Sequence, residues 1–476
     1  MICREEHLMP RWNKAVLWTL LLLCLLLFDP GRLSWGMTTE DEKKLGRQIL
    51  LEMEKQVEWV RDLTLQAFIN KIGYSLVAQV GPAPFQFKFY LIKGTDPNAY
   101  AIPGGHIFLT TGLLVSAEND QEVAGVLSHE IAHVMSRHVA QLIERSKRLN
   151  IATMAAIIAG ALLGGGKASE AIATTAMATA EALALKYTRE MEVEADQNAL
   201  HYMIRAGYDP QGLITFMTKI HRFSLAAGPK VPSYLSTHPA VENRIALMEN
   251  LLQIGPKPTG PYKTFRSFRK IQAKAFVEER EPHLAVRHYQ SLIDSNTQNE
   301  DGYYGLGLAF RKMGRLDKSI EAFQMGHAVA PNDPDLLREL GITYFLSGKV
   351  DQAIEYLQSV QSVFESSGER DEDLLSLYYL GKCYQERGNV QQALPLFLKI
   401  KKDHPEWMEI HHSLGSAYGR VGQKGLSHFH FGKYFKLRGE PRSALLHYRT
   451  SLEWLERGSP EREEAQREIK ELGGMK

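Results

Sequence analysis

The chain has 476 residues, of which 44% are hydrophobic and 23% charged, enough for two or three domains with real cores. That balance excludes a largely disordered or collagen-like protein. A net formal charge of +1 argues against nucleic acid as the main partner.

Ala15–Phe28 (AVLWTLLLLCLLLF) is an almost wholly apolar run of fourteen residues, preceded by Arg4, Arg11 and Lys14. Asp29-Pro30-Gly31 and the small-x-small triplet Ser34-Trp35-Gly36 follow it. This pattern describes a secretory signal over residues 1–36, cleaved near Gly36, and an uncleaved anchor is the alternative. A bilayer span needs about 20 residues, more than this run supplies. Cys24 lacks the small neighbour that lipid attachment requires. Cys3 and Cys24 fall within the signal, so Cys383 stands alone in the remainder, and any metal must be held by His, Glu or Asp.

Phe85–Ile92 and His106–Thr110 read as strands. Between them Gly104-Gly105 either lets backbones approach closely or makes a plain turn. Asn119 can cap a helix, with Glu122 three residues on, and the apolar-rich run then continues through Ile143. Within it stands Ser128-His129-Glu130-Ile131-Ala132-His133. Imidazoles four residues apart share one helix face, about 40° apart, so His129 and His133 can reach one zinc ion. Glu130 sits at the flank of that face, where a carboxylate can act as base without being a ligand. His138 is one residue off the spacing of a third histidine on the same run, and reads as solvated or as supporting a ligand.

A third ligand must come from further along. Ile151–Gly166 carries no charge over sixteen residues, and its Ala/Gly-rich character continues to about Ala184. A buried hairpin and contact of 151–184 with a membrane surface are equally open readings. Next comes Thr188–Leu200. Wound at 100° per residue, Glu190, Glu194, Gln197, Asn198 and His201 fall on a solvent side, while Glu192 and Asp196 fall with Ala195, Ala199 and Met203. Carboxylates on a packed face need a partner, and a zinc ion with its imidazoles is one. Glu192 is therefore the expected third ligand, with Asp196 one turn on, placed to orient a ligand histidine from behind.

Gly255–Pro261 is dense in helix breakers and marks a linker, taken as 255–262, between a peptidase-like domain at 37–254 and a repeat domain at 263–476. From Gly307 one register recurs: Gly307, Phe310, Gly314, Ser319, Phe323 and Pro331. It returns 34 residues later as Gly341, Tyr344, Gly348, Ala353 and Leu357. After a short insertion it runs through Gly381, Tyr384, Gly388, Ala393, Phe397 and Pro405, then Gly415, Tyr418 and Gly422. A weaker copy (Ala273, Phe276, Ala285, Tyr289) precedes these, and a displaced one (Gly432, Phe435, Gly439, Ala444, Tyr448) follows. The period and residue types resemble the tetratricopeptide repeat, a helix pair that stacks into a solenoid with a peptide-binding groove.

His-Glu-x-x-His, followed on a later helix by Glu192, Ala195 and Asp196, resembles the zinc peptidase family of the CAAX prenyl endopeptidases and the heat-shock membrane protease. Pro103–Phe108 with Thr111–Leu114 is similar to that family's edge strand. Thr237-His238-Pro239, with Arg244 beyond, is similar to its His-Pro segment. The resemblance implies an α+β zincin-like (gluzincin) peptidase domain followed by an all-α repeat solenoid. One Zn2+ per chain would be held by His129, His133 and Glu192, with Glu130 as catalytic glutamate and Asp196 as its acidic partner. It gives His238 one of two roles, donor to the tetrahedral oxyanion or fourth zinc ligand that holds the enzyme off. His106–Thr110 is expected to offer the edge on which a peptide pairs.

Signal, peptidase and repeats together resemble the periplasmic members of the family. That likeness implies an endopeptidase that degrades misfolded or stalled outer-membrane proteins and, through its repeat groove, engages the barrel-assembly machinery. A latent peptidase acting chiefly as a repeat-based chaperone or adaptor is the alternative.

Overall fold

The computed structural model describes residues 37–145, 150–163, 187–226, 233–255, 261–265, 267–367 and 373–473. The expected signal over 1–36, most of the linker (256–260) and the second half of the apolar stretch (164–184) lie outside the described residues.

Two helices, α1 (Thr39–Met53) and α2 (Leu63–Val77), lead into β1 (Lys88–Ile92), β2 (Ala99–Ile102) and β3 (His106–Thr110). The strand order is β1-β3-β2. β1 runs parallel to β3, pairing Tyr90 with Phe108, and β2 runs antiparallel to it, pairing Ala101 with Ile107. His106–Thr110 is thus the central strand, which corrects the expectation that it forms the edge. Ala99–Ile102 turns back on it through Gly104 and Gly105, both at φ above +80°, and takes the edge position. The outer side of β1 is covered by the chain at Glu58–Val60, where Val60 N–H donates to Leu91 O at 2.9 Å.

After the short α3 (Thr111–Ser116) comes α4 (Asp120–Met135), capped by Asn119, whose side chain accepts from Glu122 N–H at 3.1 Å. Asp120 through Val134 are all buried, so this helix is the spine of the peptidase region. It stops at Met135 rather than running to Ile143, because Arg137 takes a left-handed φ of +55° before α5 (His138–Arg145) begins. α6 (Ile151–Leu163) buries Met154, Ala155, Ile157, Ile158 and Ala159, packing on α1, on β2 and on α9 (Ser233–Thr237). This half of the apolar stretch therefore faces the protein. Among the described residues no helix is long and apolar enough to cross a membrane.

α7 (Arg189–Ala206) lies against α4, tied by Ser128 Oγ donating to Ala199 O at 2.8 Å. α8 (Gln211–Ala226) approaches the same helix so closely that a Cβ on Gly125 would meet Leu213 backbone at 2.7 Å. α10 (Val241–Ile254) packs on α7 and α8 and completes the region.

Helix pairs fill the remainder: α11 (Phe268–Glu279) with α12 (Pro282–Ser295), then α13 (Glu300–Lys312) with α14 (Leu316–Val329), and α15 (Pro334–Leu346) with α16 (Val350–Ser367). α17 (Leu374–Glu386) with α18 (Val390–Asp403), α19 (Met408–Arg420) with α20 (Lys424–Leu437), and α21 (Pro441–Trp454) with α22 (Pro460–Gly473) complete the array. In α13, α15, α17 and α19 a glycine faces the large residue sixteen positions on. A Cβ at Gly307 would sit 2.6 Å from the Phe323 ring, and one at Gly381 2.5 Å from Phe397. The displaced copy keeps the rule, with Gly432 against Tyr448.

The two regions are not separate bodies of core. The apolar cluster that begins at Ile49 continues through Phe268, Ile271 and Ala275 of α11. Leu63, at the start of α2, packs against the cluster of Leu377, Trp407 and Leu414 in the repeats.

Candidate metal centre

α4 projects His129 and His133 from successive turns of one face, α7 brings Glu192, and the segment after α9 brings His238. All four are fully buried. His129 Nε2 lies 3.0 Å from His133 Nε2 and 3.3 Å from His238 Nδ1. Glu192 reaches the same point, with Oε2 3.6 Å from His129 Nε2, and Oε1 3.5 Å from His133 Nε2 and 3.0 Å from His238 Nδ1. One donor atom from each of the four fits within 4.8 Å of the others. The expected trio converges, and His238 joins it through the nitrogen that a fourth ligand would use.

Three imidazole nitrogens and a carboxylate oxygen crowded together in a place without solvent form a donor set that a divalent cation would satisfy. The donor set, nitrogen and carboxylate oxygen without sulfur, suits zinc.

Asp196 lies behind His129, with Oδ1 3.0 Å from His129 Nδ1. It is also clamped by Arg244, whose Nε and Nη2 donate to its two oxygens at 2.6 and 2.7 Å. Arg244 Nη1 pairs with Glu192 as well, so one buried guanidinium serves both carboxylates. Burial would raise both carboxyl pKa values. For Glu192 that is outweighed by His238, Arg244, His129 and His133, which hold it well below the usual range. For Asp196 it is outweighed chiefly by Arg244, and its pKa too is lowered.

Glu130 differs. Both its oxygens are buried without a hydrogen bond, His238 Nε2 stands 3.4 Å from Oε1, and burial pushes its pKa up. A buried carboxylate without a hydrogen-bond partner, next to the imidazole and carboxylate cluster but outside it, is placed for general acid–base work.

Sequence reasoning missed two neighbours. Tyr187 stacks on the His133 ring, with centroids 3.8 Å apart at 22°, and Tyr234 on His238, 4.6 Å apart at 29°. Nothing in the pattern around either tyrosine marks it. Arg244 was visible as part of the His-Pro segment, but its bidentate grip on Asp196 was not.

Residues 63–252 match the profile of Peptidase family M48, and residues 272–334 and 333–400 match tetratricopeptide repeat profiles. The chain is 30% identical over 362 residues to the beta-barrel assembly-enhancing protease of Escherichia coli, covering 74% of this chain and 71% of that one. It is 31% identical over 226 residues to the protein of that name from Yersinia pestis, covering 47% and 46%. To the mitochondrial metalloendopeptidase OMA1 of Schizosaccharomyces pombe it is 28% identical over 185 residues, covering 39% and 52%. The match thus spans about half the length of the Yersinia and yeast relatives. With its α+β region followed by stacked helix pairs, the chain belongs to the M48 metallopeptidases and carries tetratricopeptide repeats at its C-terminal side.

Proposed function

We propose that the chain is an exported zinc endopeptidase, residing in the periplasm once its signal is removed near Gly36, that degrades misfolded or stalled outer-membrane proteins. Its repeats would engage those clients and the barrel-assembly machinery, in keeping with the names of its bacterial relatives. The observation that carries the reading is the convergence of His129, His133 and Glu192 on one point, with Glu130 beside it.

One zinc ion per chain would be held by those three residues. When bound, such an ion supplies Lewis acidity toward a water and a scissile carbonyl. The chain's own residues do the rest. Arg244 and Asp196 hold His129 and Glu192 in place. Glu130 takes a proton from the attacking water and delivers it to the departing amine. Ala99–Ile102, the edge strand against α4, is where an extended peptide would add main-chain hydrogen bonds.

A second reading, a latent peptidase acting mainly as a repeat-based chaperone or adaptor, is favoured by His238, whose Nδ1 occupies the place of a fourth donor. Metal analysis with casein digestion, with and without chelator, tests the first reading: one zinc per chain and chelator-sensitive cleavage are expected. Absence of both would remove the peptidase assignment. His238→Ala should raise cleavage if the histidine blocks the centre and lower it if it donates to the oxyanion. Unaltered turnover and zinc affinity would exclude both roles.

A further inference from the structure

The two histidines of α4 are supported from behind by different chemistry. His129 has the carboxylate of Asp196. His133 has another imidazole: its Nδ1 lies 2.9 Å from His138 Nδ1, with the ring planes at 69°. To present a lone pair at Nε2, His133 must carry its proton on Nδ1, pointed at His138. His138 can accept there only if its own proton is on Nε2. That nitrogen lies 3.4 Å from Glu194 Oε2, and Oε1 of the same carboxylate accepts from Ser136 Oγ at 2.6 Å. Donor faces acceptor at every step. Inverting His133 would aim the bare Nδ1 at the bare Nδ1 of His138.

Backbone geometry shows how His138 reaches this place. Had α4 continued, a residue five positions after His133 would point about 140° away from it. Arg137 instead adopts its left-handed conformation and swings His138 back beneath His133, where it is buried to 1% exposure. Arg137 is held in that conformation by Glu42, itself buried, and by the carbonyl of Met37. A non-glycine residue in the left-handed region persists only where its surroundings enforce it.

We propose that His138, oriented by Glu194, is a positioning residue that fixes His133 in the tautomer able to bind metal. It does for the second ligand what Asp196 does for the first. The inference rests on the reading of His133 as a zinc ligand.

The test is the rate at which zinc leaves the loaded full-length chain to a chelating dye at constant pH, read beside peptidase activity. His138→Ala should speed zinc loss about tenfold or more. His138→Gln, which restores an acceptor oxygen, should recover part of that. Glu194→Gln should speed loss by less than His138→Ala, and should add nothing to it in the double variant, because Glu194 acts only through His138. Glu194 has a 56% exposed side chain, so this variant keeps the test decisive should His138→Ala fail to fold. Zinc loss within twofold of wild type in both His138→Ala and Glu194→Gln would overturn the proposal while leaving the metal centre standing. So would effects of the two changes that add in full. A wild-type chain that takes up no zinc would overturn both.

Discussion

Glu192 of the peptidase region and Glu339 of the repeats are both fully buried, and their surroundings differ in kind. Glu339 of the repeats is met by Lys274 Nζ at 3.0 Å, Arg311 Nη2 at 2.5 Å, Arg338 Nε at 3.3 Å and the Tyr304 hydroxyl at 3.3 Å. Burial raises its pKa, but Lys274, Arg311 and Arg338 outweigh that and hold it far below the usual carboxylate range. Charge and hydrogen bonds are complete, and the result ties α11 to α13 and α15. Glu192 has one guanidinium shared with Asp196, and its other neighbours are imidazoles crowded nitrogen to nitrogen. Beside it, Glu130 and His238 Nε2 have no hydrogen-bond partner. A satisfied buried network holds a fold together; an unsatisfied one marks where something else binds or reacts.

The largest expected effect falls on the unsatisfied side. Glu130→Gln should lower cleavage of an unfolded substrate by about 10²–10⁴-fold, the usual worth of a general base, with zinc content unchanged. A variant that cleaves at the wild-type rate would show that Glu130 is not that base. Glu339→Ala should do the reverse, destabilising the chain by about 3–5 kcal/mol in urea unfolding, by taking from Arg311 its carboxylate and leaving Lys274 only Asp62 and Arg338 only Asp335 and Asp373, while zinc stoichiometry stays at one. If it were neutral, the network would be ornamental.

Acid sharpens the contrast within the repeats. His411 Nε2 faces Pro405 O at 2.8 Å and its Nδ1 faces His430 Nδ1 at 3.0 Å, an arrangement for two neutral rings. Burial lowers the His411 pKa to about 4, with Lys433 and Lys401 adding to the shift and Pro405 and Glu464 opposing it. The unfolded chain takes up this proton near pH 6.5 and the folded one does not. Stability is therefore full above that pH, falls as pH drops toward 4, and is level below. The loss is at most about 3 kcal/mol. Urea midpoints from pH 7.5 to 4.5 should show the fall, and His411→Gln should flatten it. The smallest effect belongs to close packing. Gly307→Ala forces a methyl against the Phe323 ring and should cost about 1–3 kcal/mol, leaving zinc affinity as it was.

What could be read ahead of the coordinates follows from period. His129, His133, Glu192 and Asp196 obey the helical repeat, and each pair lands on the expected face. The 34-residue register likewise brings Gly307 to Phe323 and Gly341 to Leu357. Ala99–Ile102 escaped because its four residues are all buried and show no alternation, so the edge was assigned to its neighbour. His138 stayed open between solvent and support of a ligand because its position depends on one left-handed residue, Arg137, that nothing local demands. Tyr187 and Tyr234 are placed by contacts between elements far apart in the chain, which no local pattern encodes.

The burial of Phe268, Ile271 and Ala275 in the same cluster as Ile49 and Leu65 has a practical side. A fragment ending at Gly255 would carry every proposed ligand yet show bare hydrocarbon where α11 belongs, inviting aggregation. A soluble catalytic half needs its C-terminus beyond Glu279, so the first repeat helix serves as the cap of the enzyme as well as the opening of the array.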